Sequence, residues 1–253
     1  MPPISTPAIV LATIRYGETS KIARLATLEL GVQSAIAKGA LRPKSRFGSA
    51  LHLLSEGSAT LHLSRSSDLH TLAQFDARAV RTGLAAHMDR YASATLLSEL
   101  MLRFAPASRH PESYTLFRDA LALLEAAPPV AVEPLSLRAL WRLVAVLGFA
   151  PALDRCARDA APVSGGRPVC FSFQDGGVLC AACARDTVGA QLKAADLADL
   201  LALLDPGAEL PALDDRHLAA HRRLLERYIR YHLAEGATLP ALAFWAERGW
   251  LAA

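Results

Sequence analysis

The chain has no uncharged apolar run of about 18 residues, the length a membrane-spanning helix needs. Its first residues, MPPISTPAIVLATIRYG, contain no basic leader ahead of an apolar stretch of signal-peptide length, so the expected location is the cytoplasm. Cysteine is scarce: four in 253 residues are too few for a disulfide scaffold. Also missing are a phosphate-binding glycine loop, a nucleophile elbow and paired catalytic carboxylates on a recognisable scaffold, so catalysis has no visible seat and a non-enzyme is expected.

Hydrophobic residues are plentiful at 52%, enough to bury real cores, and the length favours two domains. Charge is unevenly placed. Residues 1–65 hold eight Lys or Arg against three Asp or Glu, while the remainder holds 19 against 21. The formal net charge of +3 therefore belongs to the first quarter, which points to one module that meets a polyanion. A merely solvated charged face is the competing reading.

That first quarter reads as short strands: Ile9–Tyr16, Lys21–Leu28, Gln33–Lys38, Leu51–Leu54 and Ala59–Leu63. They are β-branched or alternating, and punctuated by Gly17, Gly31, Gly39, Gly48 and Gly57. Five short strands at this spacing suggest a small barrel. Within it, VQSAIAKGALRPKSRFGSALHLL (Val32–Leu54) reads as strand, basic turn and strand. Lys38, Arg42, Lys44 and Arg46 cannot be buried without partners, and Phe47 beside them offers a ring on which a base could stack. His52 and His62 read as outward-facing strand residues.

Beyond Arg78 the apolar residues recur every three or four positions. Helices are expected over Met88–Phe104, Glu112–Ala126, Leu135–Leu147, Ala195–Leu204, Asp215–Leu233 and Leu239–Arg248. The near-continuous apolar character of Leu135–Leu147 marks it as the centre of a bundle. The stretch Ala126–Pro134, with three prolines, reads as its loop. The class is α+β multidomain, with a barrel domain at 1–79 and a helical domain at 80–253.

The cysteines cluster. Cys180 and Cys183 form a CxxC, and Cys156 is followed at the same spacing by Asp159, giving CARD and CAAC knuckles that can converge on one tetrahedral ion. Zinc in a structural role is the expected cofactor. Aspartate in one corner is unusual, since structural sites favour sulfur and nitrogen, and Cys170 competes as fourth ligand. A two-residue turn at Asp175 and Gly176 would pair Phe171 with Cys180 and turn Cys170 away; a three-residue turn through Gly177 would pair Ser172 with Cys180 and bring Cys170 to the metal side. Asp159 is the preferred ligand and Cys170 the alternative. Four reduced cysteines buried as small hydrophobes is the bland reading, and a thiol-disulfide enzyme would need its CxxC to open a helix.

One helix, with HRRLLERYIRYH at its core, carries Arg216, Arg222, Arg223, Arg227 and Arg230, a second positive strip that can touch phosphate or an acidic partner segment. Asp214, Asp215 and Glu226 could balance it through pairs one turn apart. His217 and His221 stand one turn apart, but no glutamate sits beside the first as a zinc hydrolase requires, so they read as part of the basic helix surface.

The segments YGETSKIARLATLELG, AKGALRPKSRFGSAL, LGFAPALDRCARD, FSFQDGGVLCAAC and HRRLLERYIRYHL resemble, in that order and end to end, the RecO family of bacterial recombinational repair proteins. The resemblance implies an N-terminal OB-fold barrel, then a helical domain with a zinc-finger-like hairpin inserted at about 154–186. It implies a non-catalytic recombination mediator, associated with the nucleoid, that binds single- and double-stranded DNA, anneals complementary strands, and helps load RecA with RecR, RecF and the single-strand binding protein. The family's basic face falls on Lys38, Arg42, Lys44 and Arg46, with Arg15, Lys21 and Arg24 on neighbouring strands. Its metal motif is commonly two CxxC pairs, from which Asp159 departs. A protein scaffold whose basic turn binds acidic partner segments is the alternative function.

Overall fold

The computed structural model describes residues 2–48, 50–163, 167–234 and 236–248. Two compact units divide at Ala126 and Ala127. The first holds five strands, β1 (Ile4–Tyr16), β2 (Ser20–Thr27), β3 (Gly31–Ala37), β4 (Glu56–His62) and β5 (Leu69–Ala79), followed by three helices, α1 (Thr82–Ala85), α2 (Met88–Phe104) and α3 (Pro111–Ala126).

The strands close into a barrel in the order β1-β2-β3-β5-β4, with β4 returning to β1. Every pairing is antiparallel except β3 with β5. This is the OB fold. Its interior is filled by small residues, Ala8, Ala23, Ala35, Ala37 and Ala59, interleaved with Leu25, Leu61, Leu72 and Phe75, as a narrow barrel requires. Gly31, at φ +71, turns β2 into β3; a Cβ there would stand 2.2 Å from the Ser108 carbonyl oxygen, so the loop before α3 packs directly onto the turn.

Two of the expected strands need correction. Leu51–Leu54 is not a strand: it lies in the long connection from β3 to β4, where Leu51 and Leu54 are buried. The fifth strand is Leu69–Ala79 instead. Its alternation is concealed by a bulge: the β4–β5 register shifts between Thr60 and Leu61, so Leu72 and Phe75 both reach the core although three positions apart. A second bulge, between Val10 and Ala12, is exploited by α2, whose Ser98 hydroxyl donates to the Leu11 carbonyl at 3.1 Å.

Arg81, just before α1, is almost enclosed and pairs with both Glu56 and Glu125. Burial, and then the nearby Glu56 carboxylate, push the Tyr114 hydroxyl up to about 12.

The second unit contains α4 (Pro129–Val144), β6 (Val169–Ser172), β7 (Gly177–Leu179), β8 (Ala190–Leu192), α5 (Ala194–Leu204), α6 (Asp215–His232) and α7 (Pro240–Glu247). Helix α4 starts well before the expected Leu135. The proline-rich segment is its first turns rather than a loop: Pro129 opens the helix where an amide donor is not needed, and Pro134 is tolerated one turn later. A π-type turn, Ala145–Phe149, then ends it at Gly148 (φ 97).

Leu137, Leu140, Trp141, Leu143 and Val144 are all buried, and the Trp141 ring meets Tyr228 of α6 with centroids 5.2 Å apart. Trp245 of α7 donates its indole N–H to Ser136 at 3.2 Å. The strands β7, β6 and β8 form a separate antiparallel sheet in that order. No helix is long and apolar enough to cross a membrane among the described residues.

His221 departs from the expected basic surface. It is 2% exposed, and neither ring nitrogen has a partner among the described residues. His217 stays at the surface, its Nδ1 2.7 Å from Asp214.

Candidate nucleic-acid face and metal centre

The basic segment is the connection from β3 to β4, built from successive tight turns. Amide to carbonyl bonds run from Ala40 to Ala37, Arg42 to Gly39, Ser45 to Arg42 and Gly48 to Ser45, at 3.0–3.3 Å. Repeated turning sorts the side chains. Ala40, Phe47 and Leu51 join the barrel core, while Lys38, Arg42, Lys44 and Arg46 are left exposed. None of those four forms an ion pair among the described residues.

Phe47 is where the sequence reading fails. The ring is 1% exposed and plugs the barrel, so no base can stack on it. Arg15 and Lys21 face each other across β1 and β2, and Lys21 faces Ala37, one residue before Lys38. Arg15 is exposed, Lys21 and Arg24 are half-buried, and the Arg24 Nε is enclosed without a hydrogen-bond partner among the described residues.

In the second unit, Cys156, Asp159, Cys180 and Cys183 offer ligand atoms that all lie within 4.8 Å of one another. The Cys180 and Cys183 sulfurs stand 3.4 and 3.3 Å from Asp159 Oδ2. Tetrahedral zinc, with bonds of about 2.3 Å to sulfur and about 2.1 Å to oxygen, would space its ligands by roughly 3.5–3.8 Å, so the donor set fits a metal ion.

The first knuckle is held against β7 by backbone bonds, Ala157 amide to Val178 carbonyl at 2.8 Å and Val178 amide to Ala152 carbonyl at 2.8 Å. A Cβ on Gly177 would fall 2.2 Å from the Ala152 oxygen, which explains a glycine there. In the second knuckle the Cys183 amide points at the Cys180 sulfur at 3.5 Å.

Cys170 is outside this group. The hairpin turns through four residues, Phe173–Gly176, so Cys170 pairs with Leu179 and neither of the two registers considered above occurs. Side chains alternate along β7, which sends Cys180 to the face opposite Cys170. The Cys170 sulfur instead meets the Thr187 carbonyl at 4.0 Å, and burial pushes its thiol up.

Electrostatics around the cluster are set by Asp159. Thiol donation from Cys156, the Ala161 amide and the Cys183 thiol hold its carboxyl far below the usual carboxylate range. In return the hydrogen bond that the Cys183 thiol donates to Asp159, and then its desolvation, push that thiol up to about 12. Burial and Asp159 raise the Cys156 thiol, but the backbone amides of Cys180, Asp159 and Arg158 outweigh them and leave it below its ordinary value.

Arg158, which sequence reading did not single out, clamps the arrangement. Its guanidinium makes two bonds to Asp175, at 3.0 and 2.8 Å, and reaches the Cys183 carbonyl at 3.2 Å and the Thr187 hydroxyl at 3.3 Å. Only the CARD spacing placed it near the site; its partners are 17 to 29 residues away.

The second basic strip is less open than its sequence implies. Arg222 is 11% exposed at its side chain and is paired to Glu133, which also pairs with Arg248. Arg227 lies over the Phe173 ring at 4.2 Å and Arg230 bonds Glu226 at 2.9 Å. Arg223 is exposed and makes no ion pair among the described residues.

The chain is thus an OB-fold protein whose barrel carries an exposed cationic connection and whose helical unit bears a Cys/Asp cluster of metal-binding type. The family model described as Recombination protein O N terminal matches residues 1–80, and the one described as Recombination protein O C terminal matches residues 86–239. The chain is 36% identical to a DNA repair protein RecO of Anaeromyxobacter dehalogenans (strain 2CP-C) over 97% of each chain. It is 32% identical to one of Nocardioides sp. (strain ATCC BAA-499 / JS614), over 90% of this chain and 94% of the relative. The chain belongs to the RecO family of DNA repair proteins.

Proposed function

We propose that the protein is a non-catalytic recombination mediator that binds single- and double-stranded DNA, anneals complementary strands and, with RecR, helps load RecA at gaps. Residues 1–79 act as the DNA-binding domain and 80–253 as the helical domain that presents partner surface, with the single-strand binding protein and RecF among its partners in the cytoplasm. The observation that carries this reading is the group Lys38, Arg42, Lys44 and Arg46: exposed, free of ion pairs among the described residues, and interleaved with Ala40 and Phe47, which are buried in the barrel core. Two complementary strands repel one another. A surface that neutralises backbone phosphates lowers that barrier and leaves base edges free to pair.

Arg15 and Lys21, paired across β1 and β2, and Arg24, on the opposite parity of β2, add cations on the strands next to that connection. Arg223 supplies a separate contact, and Arg222, Arg227 and Arg230 do so only to the extent that their present partners release them. Cys156, Asp159, Cys180 and Cys183 would hold zinc in a structural role, tying the two knuckles together.

The test is single-strand binding across a salt series for the wild type and the triple variant R42E/K44E/R46E. Loss of three phosphate contacts should weaken binding and reduce the salt slope by about 2. Unchanged affinity with an unchanged slope would reject the reading in favour of a scaffold that binds acidic protein segments.

A further inference from the structure

The outward face of the barrel at the Tyr16 end carries an apolar row that the barrel itself does not need. Ile14 of β1 faces Ile22 of β2, which faces Ile36 of β3, in one cross-strand line. Residues of the opposite parity on the same strands, Ala23, Ala35 and Ala37, fill the core, so the three isoleucines stand outside. Ile14 is 58% exposed. Two residues further along β1, Tyr16 is 51% exposed, faces the small Ser20 across the turn, and meets no other ring among the described residues.

We propose that this row is a base-stacking strip for single-stranded DNA, with the Tyr16 ring as its platform. The inference rests on the DNA-binding reading above and adds the surface that tells unpaired strands from duplex. Cations flank it on the same face: Arg24 lies in the next outward row beyond Ile22, and Lys38 follows the inward-facing Ala37 directly. Glu18, in the turn, is the single acid of the β1–β2 hairpin.

An apolar row framed by cations suits a polymer with apolar rings on an anionic backbone. Strands stand about 4.8 Å apart, so the isoleucine row spans roughly 10 Å, room for two or three bases but narrow for a protein partner. Bases paired inside a duplex present edges, not faces, and cannot stack there. Phosphates of either form can still reach the basic connection.

The experiment measures binding of the full chain, by fluorescence anisotropy at one salt concentration, to three probes: oligothymidylate, an abasic deoxyribose-phosphate oligomer of equal length, and a blunt duplex. The wild type should bind oligothymidylate at least about fivefold more tightly than the abasic chain. Tyr16→Ala should weaken oligothymidylate binding roughly 5- to 100-fold, the worth of one stacked base, while changing the abasic and duplex affinities less than about twofold. Tyr16→Phe and Tyr16→Trp should keep wild-type affinity.

Equal wild-type affinity for oligothymidylate and the abasic chain would overturn the proposal and leave the row to a protein partner. So would a Tyr16→Ala variant that weakens all three probes equally, or none. If the wild type binds none of the probes, the DNA-binding reading fails as well. If it binds and R42E/K44E/R46E weakens it while Tyr16→Ala does not, the stacking strip alone fails.

Discussion

The guanidinium carbon of Arg46 stands 5.1 Å from the centre of the Phe47 ring, so an exposed cation and a fully buried plug occupy consecutive positions. The proposed DNA contact and the fold's stability can therefore be probed at adjacent positions. Phe47→Ala should cost about 3–5 kcal/mol of unfolding free energy, because it opens a cavity at the barrel's end. Arg46→Ala should change stability by less than about 0.5 kcal/mol yet lower single-strand affinity. Urea unfolding read beside anisotropy checks both; an unaltered urea midpoint for Phe47→Ala would contradict its role as the plug.

The metal cluster makes a sharper claim about which cysteine does not matter. Cys170→Ser should leave zinc stoichiometry unchanged, since that residue sits on the other face of the hairpin. Asp159→Cys should tighten zinc binding by completing a four-thiolate set, and Asp159→Ala should weaken it. Arg158→Ala, which frees Asp175 and the Cys183 carbonyl without touching a ligand atom, should weaken it roughly 10- to 100-fold. Competition against a chromophoric chelator measures each value.

What the sequence disclosed and what it concealed follow from local rules. Helix α2 has the expected bounds because an uninterrupted three- and four-residue recurrence leaves no competing period. Strand β5 was hidden by a bulge that breaks alternation, and Leu51–Leu54 imitated a strand because a barrel plug is as apolar as one. The prolines at the start of α4 suggested a loop, yet proline suits a helix's first position, as at Pro129, and Pro134 is accommodated inside the helix. Cys170 stayed ambiguous because a four-residue turn was not among the registers considered. Arg158 and Asp175 meet across 17 residues, a pairing that no periodicity reports.

On α6 the same distinction between charge and availability can be measured. Glu133 pairs with both Arg222 and Arg248, and Arg222 is nearly enclosed. Glu133→Ala should destabilise the protein by about 3–5 kcal/mol, the cost of leaving a buried cation without its carboxylate. Arg223→Ala, an exposed neighbour, should alter stability by less than about 0.5 kcal/mol. If the two variants unfold at the same urea concentration, the buried pair has no such weight.

His221 gives the fold a defined acid sensitivity. Burial lowers its pKa below the ordinary histidine value, outweighing the nearby Asp199 and Asp196 carboxylates that favour the charged form, with His217 acting in the same sense as burial. His232 is lowered for the same first reason, opposed by the Phe173 backbone. When the folded pKa lies beneath the unfolded one, near 6.5, the unfolded chain takes up protons first as pH falls. Stability is therefore complete above about pH 6.5 and declines below it until the folded histidines also titrate. Most carboxylates remain ionised down to about pH 5, so the interval from 6.5 to 5.5 isolates this effect. Chemical unfolding at pH 7.5 and 5.5 should show a lower midpoint at 5.5 for the wild type, and a smaller drop for His221→Leu. An equal drop in both proteins would mean that His221 is not the group responsible.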